Sequence, residues 1–147
     1  MKLLIFFAVV IVCASAVDQA LKDEMKEKLT EYGIECAESE KATPEDIEAL
    51  HNHKPPVTHE GRCVIFCVSK KLTLMNEDGT LNTTPHSDWI QKVKENDVEA
   101  YEKMRNVYHT CADTVEIKDD ACDTSLAFAQ CIKEEGNKVG LYTVSAD

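Results

Sequence analysis

Along most of this chain the apolar residues recur every three or four positions, the spacing of one face of an α-helix. Leu21, Met25, Leu29, Tyr32 and Cys36 form one such stripe, with Lys and Glu on the other faces. They predict a first amphipathic helix that weakens near Gly33. Thr43-Pro44-Glu45-Asp46 predicts a second start: a hydroxyl cap, proline at the first helical position, then acids beside the positive end of the helix dipole. That short helix carries Ile47 and Leu50 and stops at "HNHKPP". From about Glu60 to Met75, Val64, Ile65, Phe66, Val68, Leu72, Leu74 and Met75 cover nearly every face, as in a central, buried helix. "NEDGT" then predicts a turn, and Thr83-Thr84-Pro85 restarts a helix with Trp89, Ile90 and Val93 on its apolar side. Tyr101, Met104, Tyr108, Cys111 and Val115 make a second long stripe. Asp119-Asp120 caps a last helix bearing Cys122, Leu126, Phe128, Ala129 and Ile132 up to Gly136. The tail beyond it is apolar at Val139, Leu141, Tyr142 and Val144. The expected fold is all-α, with six helices.

The start of the chain has another character. Met1-Lys2 is followed by an unbroken apolar run, Leu3 to Val12, and then by "CASA", with Ala14 and Ala16 at the two small positions of a signal-peptidase site. Such a run is about half of the ~20 residues a membrane span needs. The expectation is a signal peptide over 1–16, a single mature domain over 17–147, and secretion. Loss of Lys2 takes the formal charge from −11 to −12. That balance disfavours nucleic acid and anionic membrane as partners, since both select a basic face. Five glycines and four prolines are too few for the turns of an all-β domain.

Cysteine chemistry narrows the picture further. Cys13 leaves with the signal peptide, and six remain: Cys36, Cys63, Cys67, Cys111, Cys122 and Cys131. An even number in an oxidising compartment reads as a disulfide framework, for which arithmetic allows about 15 pairings. In "GRCVIFCVSKK", Cys63 and Cys67 are four apart, so on a helix their side chains run parallel, which disfavours a mutual bond. Cys122 and Cys131, nine apart, point to opposite sides of theirs. His51, His53 and His59 lie just upstream of Cys63, but a zinc site there would strand other thiols, so no metal is expected. No Cys-x-x-Cys redox motif occurs.

Between the six cysteines lie 26, 3, 43, 10 and 8 residues. This spacing resembles the six-cysteine insect odorant-binding proteins of the pheromone/general-odorant-binding family, across the whole mature chain. The resemblance implies a compact six-helix bundle around an apolar cavity, held by three interlocking disulfides, Cys36–Cys67, Cys63–Cys122 and Cys111–Cys131. It also implies a carrier that binds small apolar or amphipathic ligands (odorants or pheromones) reversibly, without a cofactor, as a monomer or weak homodimer, and delivers them to an olfactory receptor. The same fold could instead serve saliva, venom, reproductive or cuticular fluid.

Candidate cavity residues are Phe66, Leu74, Trp89, Val93, Val115 and Phe128, with Tyr108 offering a hydroxyl to a ligand oxygen. Family members of intermediate tail length fold the tail over the cavity, a role that Leu141, Tyr142 and Val144 suit. Asn82-Thr83-Thr84 is a glycosylation sequon followed at once by Pro85. Two rival classes fit less well. His109 and Asp113 form no catalytic signature, so an enzyme is not expected, and saposin-like proteins cluster their cysteines toward the chain ends. Five histidines and a tail ending in Asp147 lead to the expectation that mild acid loosens the tail. Affinity for one ligand should then be weaker at pH 5 than at pH 7, and equal affinities would remove the idea.

Overall fold

The computed structural model describes residues 18–141. Six α-helices follow one another among them: α1 Gln19–Ser39, α2 Pro44–His51, α3 His59–Lys71, α4 Asp88–Asn96, α5 Val98–Thr114 and α6 Ala121–Lys138. The one departure from helix and turn is an isolated antiparallel bridge between Met75 and Leu81. Helix α3 lies centrally, against α6 on one side and α1 on another; α5 packs on α6, α4 on α5, and α1 only lightly on α4. No helix of the described residues is long and apolar enough to cross a membrane.

Five of the six helix starts carry a side-chain cap. Asp18, Thr43, Thr58, Asp97 and Asp120 each accept a hydrogen bond from a backbone N–H of the first turn. Asp97 ends α4 and caps α5 in one residue, so those helices meet at a corner without a linker. Helix ends are another matter. Four of them close with the Schellman pattern, in which the residue after the cap turns left-handed and two backbone bonds run back to the last turn. Only at α6 is that residue a glycine, Gly140 (φ 73°); at α1, α2 and α3 it is Lys41 (57°), His53 (56°) and Thr73 (61°).

Four expectations change. Gly33 lies inside α1 with nothing within 4 Å of an added Cβ, and the helix continues to Ser39, because one glycine costs only ~1 kcal/mol. Helix α3 ends at Lys71, not near Met75, because Thr73 is left-handed; its oxygens hold that turn, with Oγ1 donating to the His86 carbonyl and the carbonyl accepting from Asn82 Nδ2. Leu74 and Met75 therefore belong to the loop. The restart falls at Ser87 rather than at Pro85, since Asn82 Oδ1 accepts from Thr84 N and turns residues 82–84 away from helix. The last helix also runs past Gly136 to Lys138.

Asp46 does more than favour a helix dipole. Fully buried, its carboxylate accepts from the backbone N–H and hydroxyl of Thr43, and from Val57 N, Thr58 N and Thr58 Oγ1. One side chain thus caps α2 and ties it to the start of α3. Gly61 permits this approach, because a Cβ there would stand 2.4 Å from Asp46 Oδ1. Burial alone would raise the Asp46 pKa, but the hydrogen bonds from Thr58 and Thr43 outweigh it and hold the carboxyl far below its usual range. A depressed folded value means that this stabilisation is complete above the ordinary carboxyl pKa of ~4 and is lost only as pH falls toward the folded value. Asp46→Ala should cost about 3 kcal/mol, lowering the melting temperature by roughly 10 °C at neutral pH, because it strands buried donors. The difference from wild type should stay flat between pH 5 and 8 and shrink in stronger acid, which thermal unfolding across pH checks.

Candidate ligand-binding interior

Both cysteines of "GRCVIFCVSKK" reach outward from α3, as their spacing requires. Cys67 bonds Cys36 of α1, with Cα atoms 5.7 Å apart, and Cys63 bonds Cys122 of α6 at 4.6 Å. Cys111 of α5 bonds Cys131 of α6 at 5.8 Å. Around the Cys63–Cys122 bridge, His59 Nε2 lies 2.7 Å from Asp120 Oδ2, and Arg62 Nε donates to Asp123 Oδ1 at 2.6 Å. The hydrogen bond from His59, with the helix-cap N–H groups, draws the Asp120 carboxyl below its ordinary pKa against the opposing effect of burial. His59 also gathers with the sulfurs of Cys63 and Cys122 within 4.8 Å, but both sulfurs are spent in the disulfide and are not thiolate ligands.

Inside this frame the packing is thin. The most completely enclosed side chains of the described residues are Phe128, Val93, Thr124, Asp46, Cys36, Cys111 and Ser125. No isoleucine among the described residues is buried, and Leu21 is the one buried leucine. Leucine and isoleucine are ordinarily among the most fully buried residue types. Here Leu74, Leu81, Val115 and Ile132 pack against the core of Tyr108, Cys111 and Phe128 yet stay half-accessible. Helices stapled at a few points thus leave these four apolar side chains partly open around their common cluster.

The expected cavity residues divide into groups. Leu74, Tyr108, Val115 and Phe128 come together in that one cluster, with the Tyr108 and Phe128 rings edge-to-face at 5.4 Å between centroids. Trp89 and Val93 lie one turn apart on the inner side of α4, and Val93 is 2% exposed. Phe66 stands apart from the cluster, half-buried, with Lys70 Nζ 4.6 Å from its ring centroid. Leu141, half-buried, closes the cap of α6 through its N–H to the Gly136 carbonyl. Tyr142 and Val144 lie outside the described residues, as does the expected signal peptide, 1–16. His109 and Asp113 are exposed on α5. Ile132, expected on the apolar side of the last helix, joins the cluster, and so does Leu81, which sits in a loop where no helical period marks it.

Tyr108 has a different task from the one expected. Its hydroxyl lies 3.0 Å from the Leu74 carbonyl and 2.5 Å from that of Asn82, so its single proton is committed to the loop between α3 and α4. Burial pushes its pKa up to about 12. Asn82 supports the same loop, its Nδ2 donating to the Thr73 carbonyl at 2.8 Å, so the amide that a sugar would occupy faces inward. Gly79 completes the turn with φ 82° and leaves room for Ala121, whose Cβ would stand 2.6 Å from any Cβ at position 79. Tyr108→Phe should therefore destabilise by about 1–2 kcal/mol while keeping the ring in place. Limited proteolysis should show faster cleavage within 72–87 than in the wild type, and an unchanged cleavage rate would contradict the latch.

A profile of the PBP/GOBP family matches residues 18–135. General odorant-binding protein 19d of Drosophila melanogaster is 31% identical over 140 residues, spanning 95% of this chain and 93% of its own length. General odorant-binding protein 28a of the same species is 27% identical over 138 residues, covering 94% and 96%. Among solved structures, odorant-binding protein dmelOBP28a from Drosophila melanogaster superposes with a TM-score of 0.65 at 27% identity, over 80% of this chain and 97% of that one.

Proposed function

The chain belongs to the PBP/GOBP family, and from that premise we propose that it takes up a small apolar or amphipathic ligand in its helical interior, carries it through an extracellular fluid and releases it to an olfactory receptor. The partly open aliphatic cluster carries this reading: Leu74, Leu81, Val115 and Ile132 pack round Tyr108, Cys111 and Phe128 and retain surface that a ligand can cover. A ligand of ~12 carbons gains up to ~0.8 kcal/mol per buried CH₂, near 10 kcal/mol gross. Association and ordering take back several kcal/mol, which leaves roughly micromolar affinity. That is tight enough to carry and loose enough to release.

The working form on this reading is residues 17–147 after removal of 1–16, secreted and, in an antenna, dissolved in the sensillum lymph. Its binding requires no cofactor and no covalent step, only an interior kept open. A fluorescent apolar probe should bind and be displaced by alcohols, esters or acids of about 10–14 carbons at low-micromolar concentration. Ligand at 100 times its Kd should add ~2.7 kcal/mol of stability, read as a rise of several degrees in melting temperature. Neither displacement nor thermal shift across such a panel would overturn the carrier.

A further inference from the structure

Two polar atoms at the start of α4 are completely enclosed and have no hydrogen-bond partner among the described residues: Trp89 Nε1 and Ser87 Oγ. Such groups are rare, because a buried donor without an acceptor loses its water and gains nothing in return. Indole N–H groups in particular find a partner when buried. The contrast with Tyr108 is instructive. The hydroxyl of that residue meets two carbonyls, yet the indole N–H of Trp89 meets no acceptor among the described residues. Ser87 makes the same point from the backbone side. It occupies the N-cap of α4, but its hydroxyl makes no cap bond, whereas the caps of the other five helices all do.

Position says where the N–H can be used. Trp89 lies four residues before Val93, so both side chains stand on the face of α4 that Val93 buries. The outer faces of α4 carry Asp88, Gln91, Lys92, Lys94 and Glu95, all exposed. The indole is itself only half-buried, so part of its apolar surface is still open to contact while its nitrogen is sealed from water. An indole N–H donates and never accepts.

We propose that Trp89 is the polar anchor of the ligand site, its N–H donating to an oxygen acceptor on an otherwise apolar ligand: a carbonyl, an ester or an ether. This rests on the carrier reading and refines it to a ligand class, one that an unfunctionalised hydrocarbon does not satisfy. Pairing the donor with a ligand oxygen relieves a penalty the empty protein bears, so an oxygenated ligand is favoured over a hydrocarbon of equal length.

Trp89 is the sole tryptophan of the chain, which gives the test a single spectroscopic reporter. A methyl ketone and the terminal alkene of the same length, about ten carbons, are titrated into ¹⁵N-labelled protein while the indole Nε1–H resonance is followed. The ketone should move that resonance downfield and the alkene should leave it nearly in place. Trp89→Phe, which keeps an aromatic ring and removes the N–H, should weaken the ketone roughly 3- to 10-fold and weaken the alkene much less. Binding of both ligands with no ketone-specific shift, and equal losses for both in Trp89→Phe, would overturn the anchor and leave the carrier reading standing. Failure of both ligands to bind the wild-type protein would overturn the carrier reading and the anchor with it.

Discussion

Helix α3 is held from two sides through cysteines one turn apart. Cys67 draws α1 to it and Cys63 draws α6, while Cys111–Cys131 ties α5 onto α6. The sequence separations of 31, 59 and 20 residues correspond to about 3–4 kcal/mol per bridge in the chain-entropy model. That stabilisation comes mostly from restricting the unfolded chain and asks little of the folded interior. A helical domain of this size ordinarily depends on fully buried leucine and isoleucine. Among the described residues this one buries cysteine, valine, Phe128, Tyr108, Met75 and small polar residues, and of its leucines and isoleucines only Leu21.

Local polar anchors complete what the bridges begin. Asp46 fixes the α2–α3 junction, Thr124 holds the approach to α6 by accepting from Lys118 N, and Ser69 meets Ser125 between α3 and α6. Tyr108 fastens the loop that supplies Leu74 and Leu81 to the inner cluster. Each is a satisfied buried group. Against that background the indole N–H of Trp89 stands out as unpaired among the described residues.

Much of this frame was legible from residue spacing. Stripes three and four apart gave the six helices, and the cysteine spacing pointed to the family and its bridges. The end of α2 was legible in "HNHKPP", but those of α1 and α3 were not, because the residues that turn left-handed there are Lys41 and Thr73, whose side chains carry no such signal. Gly33 and Gly136, which do carry it, lie within helices. The site was readable as a set of apolar positions, but the division of polar labour was not. Tyr108 and Trp89 look equally able to donate from sequence, and only tertiary structure shows that one donor is spent on backbone carbonyls while the other is unspent. Asn82 shows the same limit, since a sequon does not reveal which way its amide turns.

Carriage of a ligand requires an apolar interior that the protein's own side chains do not fill. Xenon binds dry apolar cavities and little else. Diffraction from crystals of the oxidised protein under xenon pressure tests this most directly. Xenon density beside Leu74, Val115 and Phe128 is the expected result, with the gas displaced when a ligand is added. An interior that excludes xenon, with those side chains packed solidly against one another, would contradict it.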